Sequence, residues 1–264
     1  MFVLTHASLA QVSELFQYKS SGFELPPFAG FTTDQWGIKA HNRPWIEEVG
    51  QFRAGQRILE VGGAYSRLPE YLGQRYGLEP WIADDFGMAS DEPLWSRWGD
   101  PTELPAKFPD TKYVFRRLGE FAPDLPDRAF DRIFSVSTLE HIPDPNRPAV
   151  LRDVHRLLAP GGMELHTIDI SIQSPKRLML KWLASKLPPL RMLHRRLDND
   201  IHRWMTLFRA SGVKIEAKPP SLLELLDRSV LVESPDVVYR FYPPNDAPKP
   251  YVPSGSLLLV IEDR

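Results

Sequence analysis

The stretch Arg57-Ile-Leu-Glu-Val-Gly-Gly-Ala-Tyr-Ser66 decides how this chain is read. A short apolar run carries an acid near its end, and two glycines and a small residue follow. The next residues, Arg67-Leu-Pro-Glu-Tyr-Leu-Gly-Gln-Arg-Tyr76, place apolar side chains at helical spacing. The pattern predicts a buried strand, a tight turn and a helix N-terminus. Glycine has no Cβ, so a ligand can approach the backbone of such a turn. Glu60 narrows the choice of ligand. A carboxylate there would repel a phosphate, whereas it would favour a ligand carrying an amino group and a positive charge.

Downstream, the same kind of unit repeats. Trp81–Ala83 reads as a short second strand ending in Asp84-Asp85, Lys112–Arg116 as a third and Asp131–Val136 as a fourth. Asn146 and Pro148 are helix-start signals. The helix continues through Val150, Leu151, Val154 and Leu157, and Ala159-Pro-Gly-Gly162 stops it. Met163–Ile168 reads as a fifth strand, Asp200–Ser211 as a helix, Val213–Ala217 as a sixth strand and Ser256–Glu262 as the last. Strands alternating with helices predict an α/β fold with a mostly parallel sheet covered on both faces. In such sheets ligands sit beyond the C-terminal strand ends. Glu60, Asp84, Asp85, Ser135, Ser137 and Asp169 all fall at those ends.

Composition excludes several classes. Net charge is −2 over 264 residues, which offers no electrostatic support for nucleic-acid binding. The absence of cysteine rules out disulfides, cysteine zinc sites and thiol catalysis. No apolar run approaches the length of about 18 residues that a membrane span needs. A soluble, cytoplasmic protein is the expectation. The 26 prolines, roughly twice average usage, lie largely in connections and predict stiff, shaped loops.

Three blocks give the chain a resemblance to the class I S-adenosylmethionine-dependent methyltransferases, and within them to the methyltransferase type 11 group. They are Ile58-Leu-Glu-Val-Gly-Gly-Ala-Tyr-Ser66, Phe130-Asp-Arg-Ile-Phe-Ser-Val-Ser-Thr-Leu-Glu-His-Ile-Pro-Asp144 and Leu157-Leu-Ala-Pro-Gly-Gly162. The resemblance implies a Rossmann-like, doubly wound, seven-stranded sheet with an antiparallel last strand. One domain would then fill residues 1–264: a helical N-terminal cap (1–52), a cofactor-binding core (53–170), a basic helical lid (171–212), and C-terminal strands with a proline-rich insertion (213–264).

It also implies roles for residues. S-adenosyl-L-methionine would be the cofactor. Glu60 would meet its amino group, and Gly62, Gly63, Ala64 and Ser66 would form the turn beneath the methionine portion. Asp84 or Asp85 would accept the ribose hydroxyls, the segment of Glu120 would lie by the adenine, and Ser135 to Ser137 would line the methyl-donor side. Ala64 and Ser66 stand where the family usually has glycine. Arg116-Arg-Leu-Gly-Glu120 stands where an aspartate is usual. Some quinone O-methyltransferases bind a divalent metal near the position of Glu140-His141, but Ser137 replaces a further acid, so no metal site is expected.

Methyl transfer from a sulfonium needs proximity and alignment, and a hydroxyl or ammonium acceptor must also lose a proton. His166 and Asp169, on or just beyond the fifth strand, are the candidate bases, with His141 as a third candidate. The other reading of His166 is a core histidine, and of His141 a structural one. A stretch from Pro175 to Arg196 holds seven basic residues and no acid. It reads either as an ordinary lid helix with a solvated basic side, or as a surface for an anionic acceptor or for transient contact with a membrane. The expected activity is methylation of a small molecule or glycan, at oxygen. The alternative is a catalytically silent cofactor-binding subunit that regulates or scaffolds a partner. A nicotinamide dehydrogenase would need Gly-x-Gly-x-x-Gly, which Gly62-Gly-Ala-Tyr-Ser-Arg67 does not supply.

Overall fold

The computed structural model describes residues 1–26, 38–86, 99–172, 183, 200–221, 223–233 and 253–264. Eight strands are found among them: β1 (Phe2–Leu9), β2 (Arg57–Val61), β3 (Glu79–Ala83), β4 (Lys112–Val114), β5 (Phe130–Val136), β6 (Leu158–Ser171), β7 (Lys214–Ile215) and β8 (Ser254–Asp263). They form one sheet in the order β4-β3-β2-β5-β6-β8-β1-β7. Only β8 runs against its neighbours, pairing antiparallel with both β6 and β1. The mostly parallel, doubly wound α/β sheet with an antiparallel last strand therefore agrees with expectation.

The count does not, and the difference lies at the N-terminus. Residues 1–52 were expected to form a helical cap, yet Phe2–Leu9 is a strand wedged between β8 and β7. Val3 and Leu4 are buried while His6 faces outward, bonded to the Ser8 hydroxyl at 2.8 Å. The strand is invisible locally because its partners lie more than 200 residues away. The helical part of the cap is α1 (Val12–Ser20) and α2 (Lys39–Val49).

Four further helices are described: α3 (Leu68–Tyr76), α4 (Leu104–Lys107), α5 (Arg147–Leu157) and α6 (Asp200–Ala210). α3 buries Leu68 and Leu72 and ends on Gly77, whose φ of 68° suits a residue without a Cβ. Asn146 occupies the start of α5, but its side chain makes no capping bond. The sheet has a core on each face. On one face Leu59, Val61 and Ile133 pack with Val150, Leu151 and Val154 of α5 and with Trp204 and Phe208 of α6. On the other, Ile58, Phe134 and Leu165 pack with α3 and with Trp45 and Ile46 of α2. Each fully buried side chain of this size contributes about 1.5–3 kcal/mol.

A buried carboxylate fixes the loop after β4. Asp153 of α5 is fully buried and accepts the amides of Gly119 at 2.8 Å and Phe121 at 3.1 Å. Its other oxygen accepts from Arg156 Nε at 2.9 Å. Asp153→Ala strands these donors, and is expected to lower the unfolding free energy by about 3 kcal/mol in a urea titration.

Candidate functional site

The parallel strands end side by side, and their C-terminal ends carry the polar residues anticipated from the sequence. The turn after β2 begins at Gly62, with φ of 65°. A Cβ there would overlap the Thr138 methyl, and the Thr138 hydroxyl donates to the Gly62 carbonyl at 3.2 Å. A Cβ on Gly63 would stand 3.0 Å from the Glu60 carboxylate carbon. Ala64 and Ser137, on either side of the crevice, hold left-handed backbone with φ of 44° and 49°. Such conformations cost a residue with a Cβ free energy, and they concentrate at functional sites.

Glu60 is 2% exposed, and its Oε2 has no hydrogen-bond partner. Burial pushes its carboxyl up to about 7, against the opposing pull of the Ser66 hydroxyl and the positive charges of Arg43 and Lys39. Asp84 turns beneath the glycine turn, where its two oxygens accept the amides of Ala64 at 2.8 Å and Phe86 at 2.6 Å. Burial raises it to about 6. Asp85 points the other way and takes Arg117 Nε and Nη2 at 3.1 and 3.0 Å. The adjacent acids thus separate: Asp84 faces the turn, and Asp85 belongs to an ion pair.

Two expectations change on β5 and β6. Ser135 and His166 are both fully buried on the α5–α6 face of the sheet, with Ser135 Oγ 2.9 Å from His166 Nδ1. The other ring nitrogen of His166 lies 3.3 Å from Glu164 Oε2, and its ring stacks on Phe208 at 6.2 Å. Strand alternation puts them in the core rather than in the crevice. His166 therefore has no face open to an acceptor, and Ser135 does not line the methyl-donor side. Glu120 is exposed, and the backbone around it is held by Asp153 rather than by its own carboxylate.

Ser137 and Asp169 lie together at the strand ends, with Ser137 Oγ donating to Asp169 Oδ1 at 2.9 Å. Asp169 pairs in register with Ser256 of β8, whose buried hydroxyl lies 3.5 Å from the same oxygen. Burial first, moderated by Lys39, raises the Asp169 carboxyl. His141 sits at the rim with its side chain 75% exposed.

The sequence reading missed the contribution of α2. Lys39, Asn42 and Arg43 share one face of that helix, at spacings of three and four. Asn42 donates to Ser256 Oγ at 2.7 Å. Arg43 and Lys39 bring positive charge to Glu60, and Lys39 also to Asp169 and Glu140. The signal available was this polar i, i+3, i+4 pattern ahead of the apolar Trp45-Ile46 pair; Trp45 itself is core. Trp36, Trp182 and, apart from Leu183, the basic stretch 175–196 lie outside the described residues, as does most of the proline-rich insertion.

The residues present fit the cofactor named by the resemblance. A buried, unpartnered carboxylate oxygen beside a turn with no room for a Cβ matches an amino group carried on a slender chain. A family model described as a methyltransferase domain matches residues 38–215, more than half the chain. No curated protein matches the sequence. Among solved structures, YcgJ from Bacillus subtilis is 14% identical with a TM-score of 0.48, covering 85% of this chain and 98% of that one. The Haloferax volcanii methyltransferase solved with its Trm112 activator is 13% identical with a TM-score of 0.44, covering 87% and 89%. Haemonchus contortus phosphoethanolamine N-methyltransferase 2, solved with S-adenosyl-L-methionine, is 14% identical with a TM-score of 0.44, covering 96% of this chain and 57% of that one. From the family match, this chain belongs to the methyltransferase domain family and is an S-adenosylmethionine-dependent methyltransferase of the class I, Rossmann-like fold.

Proposed function

We propose that the chain methylates a small-molecule or glycan acceptor held in the crevice between α2 and the ends of β5, β6 and β8. The observation that carries the site is the unpartnered oxygen of Glu60 at the glycine turn. When bound, S-adenosylmethionine supplies a methyl group already activated on a sulfonium. Glu60 accepts hydrogen bonds from its amino group, and the Gly62-Gly63 backbone leaves room for the methionine chain. Asp84 takes the ribose hydroxyls. A carboxylate offers about four lone-pair directions, of which the amides of Ala64 and Phe86 use two. Ser137 and Asp169 lie on the acceptor side, with Asp169 as the candidate base and His141 at the rim.

The acid-rich crevice would repel a phosphate backbone, which supports a small acceptor over a nucleic acid. No described helix is long and apolar enough to cross a membrane. The stretch 175–196 is the candidate for contact with an anionic portion of the acceptor or with a lipid surface. The sequence reading favours oxygen as the methylated atom, whereas the charges of the crevice favour nitrogen.

Calorimetric titration with S-adenosylmethionine and S-adenosylhomocysteine, with NAD as control, tests the cofactor assignment. Ionised Glu60 is the form that holds an ammonium, and its carboxyl titrates near 7. Affinity is therefore expected to fall from pH 7 to pH 5, approaching about tenfold per unit. A flat profile would mean that Glu60 does not meet the amino group.

A further inference from the structure

Three carboxylates act on one buried ammonium beyond the strand ends. Glu140 lies in the one-turn helix Leu139–His141, directly after β5. Arg147 fixes that turn from the start of α5, donating to the carbonyls of Glu140 and Ile142 at 2.8 Å each. Asp169 comes from β6. Glu233 comes from the segment that runs beside β8, where its amide donates to the Ser254 carbonyl at 2.8 Å. All three act on Lys39 of α2.

Glu140 is the outlier. Both carboxylate oxygens are inaccessible to solvent, and neither accepts a hydrogen bond of good geometry, although the amides of Glu140 and Asp169 lie close by. The charged groups that act on it are Asp169 on β6, Lys39 on α2, Arg147 on α5 and the neighbouring His141, while Arg43 and Glu233 act on Lys39. Burial, and then repulsion from Asp169, holds the Glu140 carboxyl well above the usual carboxylate range. Burial pulls Lys39 down in spite of the acids that face it. A buried acceptor whose nearby amides are poorly aligned is costly, and native proteins seldom keep one without a use.

The missing partner must bring N–H or O–H donors. A hydroxyl supplies one donor and no charge, and an anion adds to the repulsion. An ammonium supplies up to three donors together with a positive charge that offsets the repulsion between Glu140 and Asp169, as Lys39 does in part. We propose that the acceptor presents a protonated amine to Glu140 and Asp169. The inference rests on the methyltransferase reading and makes nitrogen the methylated atom. As the ammonium enters, the proton held by the Glu140–Asp169 pair passes to solvent. The ionised pair is then placed to take the proton that the amine must lose before its lone pair is free.

The test uses the whole chain saturated with S-adenosylhomocysteine. Propylammonium, propanol and propionate, matched in size and compared at one ionic strength, are titrated and followed by melting temperature and by amide NMR shifts. Propylammonium alone should raise the melting temperature and move the signals of residues around Glu140. It should also release protons, visible as heats that change with the ionisation enthalpy of the buffer. Glu140→Gln, and separately Asp169→Asn, should retain S-adenosylhomocysteine binding and weaken the propylammonium response at least about tenfold. A response to propanol or propionate as large as that to propylammonium, or no response to any of them, would overturn the amine proposal alone. Failure of the wild-type protein to bind S-adenosylhomocysteine would overturn the site reading and this inference with it.

Discussion

Glu60→Gln is expected to weaken S-adenosylmethionine binding about 30-fold or more, and to make the cofactor-free protein much more stable at pH 8 and only slightly more stable at pH 5. The binding loss follows from removing a buried charged acceptor and placing an amide donor opposite the cofactor's ammonium. The stability gain follows from linkage. The Glu60 carboxyl is raised to about 7 in the folded chain from an ordinary 4.5. Below pH 4.5 both states hold the proton and the site costs nothing. Between 4.5 and 7 the unfolded chain releases it while the folded chain keeps it, so stability falls as pH rises. Above 7 the full cost, about 3 kcal/mol for a shift of this size, is present. Glutamine mimics the protonated form throughout and escapes that cost. Melting curves at the two pH values, beside calorimetry with the cofactor, separate the effects. Undiminished affinity in the variant would remove Glu60 from the binding site.

Gly62→Ala is the second large effect. The added methyl would overlap Thr138 Cγ2, and the residue would be held at φ of 65°. Overlap in a tightly packed turn and left-handed backbone together are expected to cost about 3–4 kcal/mol, and to displace the turn that lies under the cofactor. Thr138→Ala in the same chain removes the overlapping methyl but leaves the backbone strain. The double variant should therefore recover roughly 2 kcal/mol in a urea titration and remain less stable than Thr138→Ala alone by about 1–2 kcal/mol. Equal stability of the single and double variants would show that Thr138 does not crowd the turn.

The core of the fold was legible where structure is local. β2, β3, β5 and α5 announce themselves through apolar runs, helical spacing and glycine or proline punctuation. Their observed limits differ from the reading by one or two residues at most ends. β6 is longer than expected because Leu158-Ala-Pro-Gly-Gly162 leads into the strand, with a register shift against β5, rather than forming a separate stop. Glu60 was legible because a carboxylate is unusual at such a turn. Lys39, Asn42 and Arg43 were not, because only tertiary packing brings α2 over the strand ends. His166 and Ser135 misled for a related reason. Their chemistry suggested function, but the side of the strand on which they fall sends both into the core.

The wedge position of β1 has a consequence for how the chain is made. Synthesis delivers Phe2–Leu9 long before its neighbours, residues 214–215 and 254–263. Until β8 is made, one edge of this segment has no native partner, and β6 stands open on the side that β8 will cover. Closure of this part of the sheet is therefore a late event, spanning nearly the whole contour of the chain, and loop-closure entropy makes such events slow. During that interval the nascent protein carries unpaired strand edges of the kind that recruit other chains. Deletion of β8 would leave that vulnerability permanent.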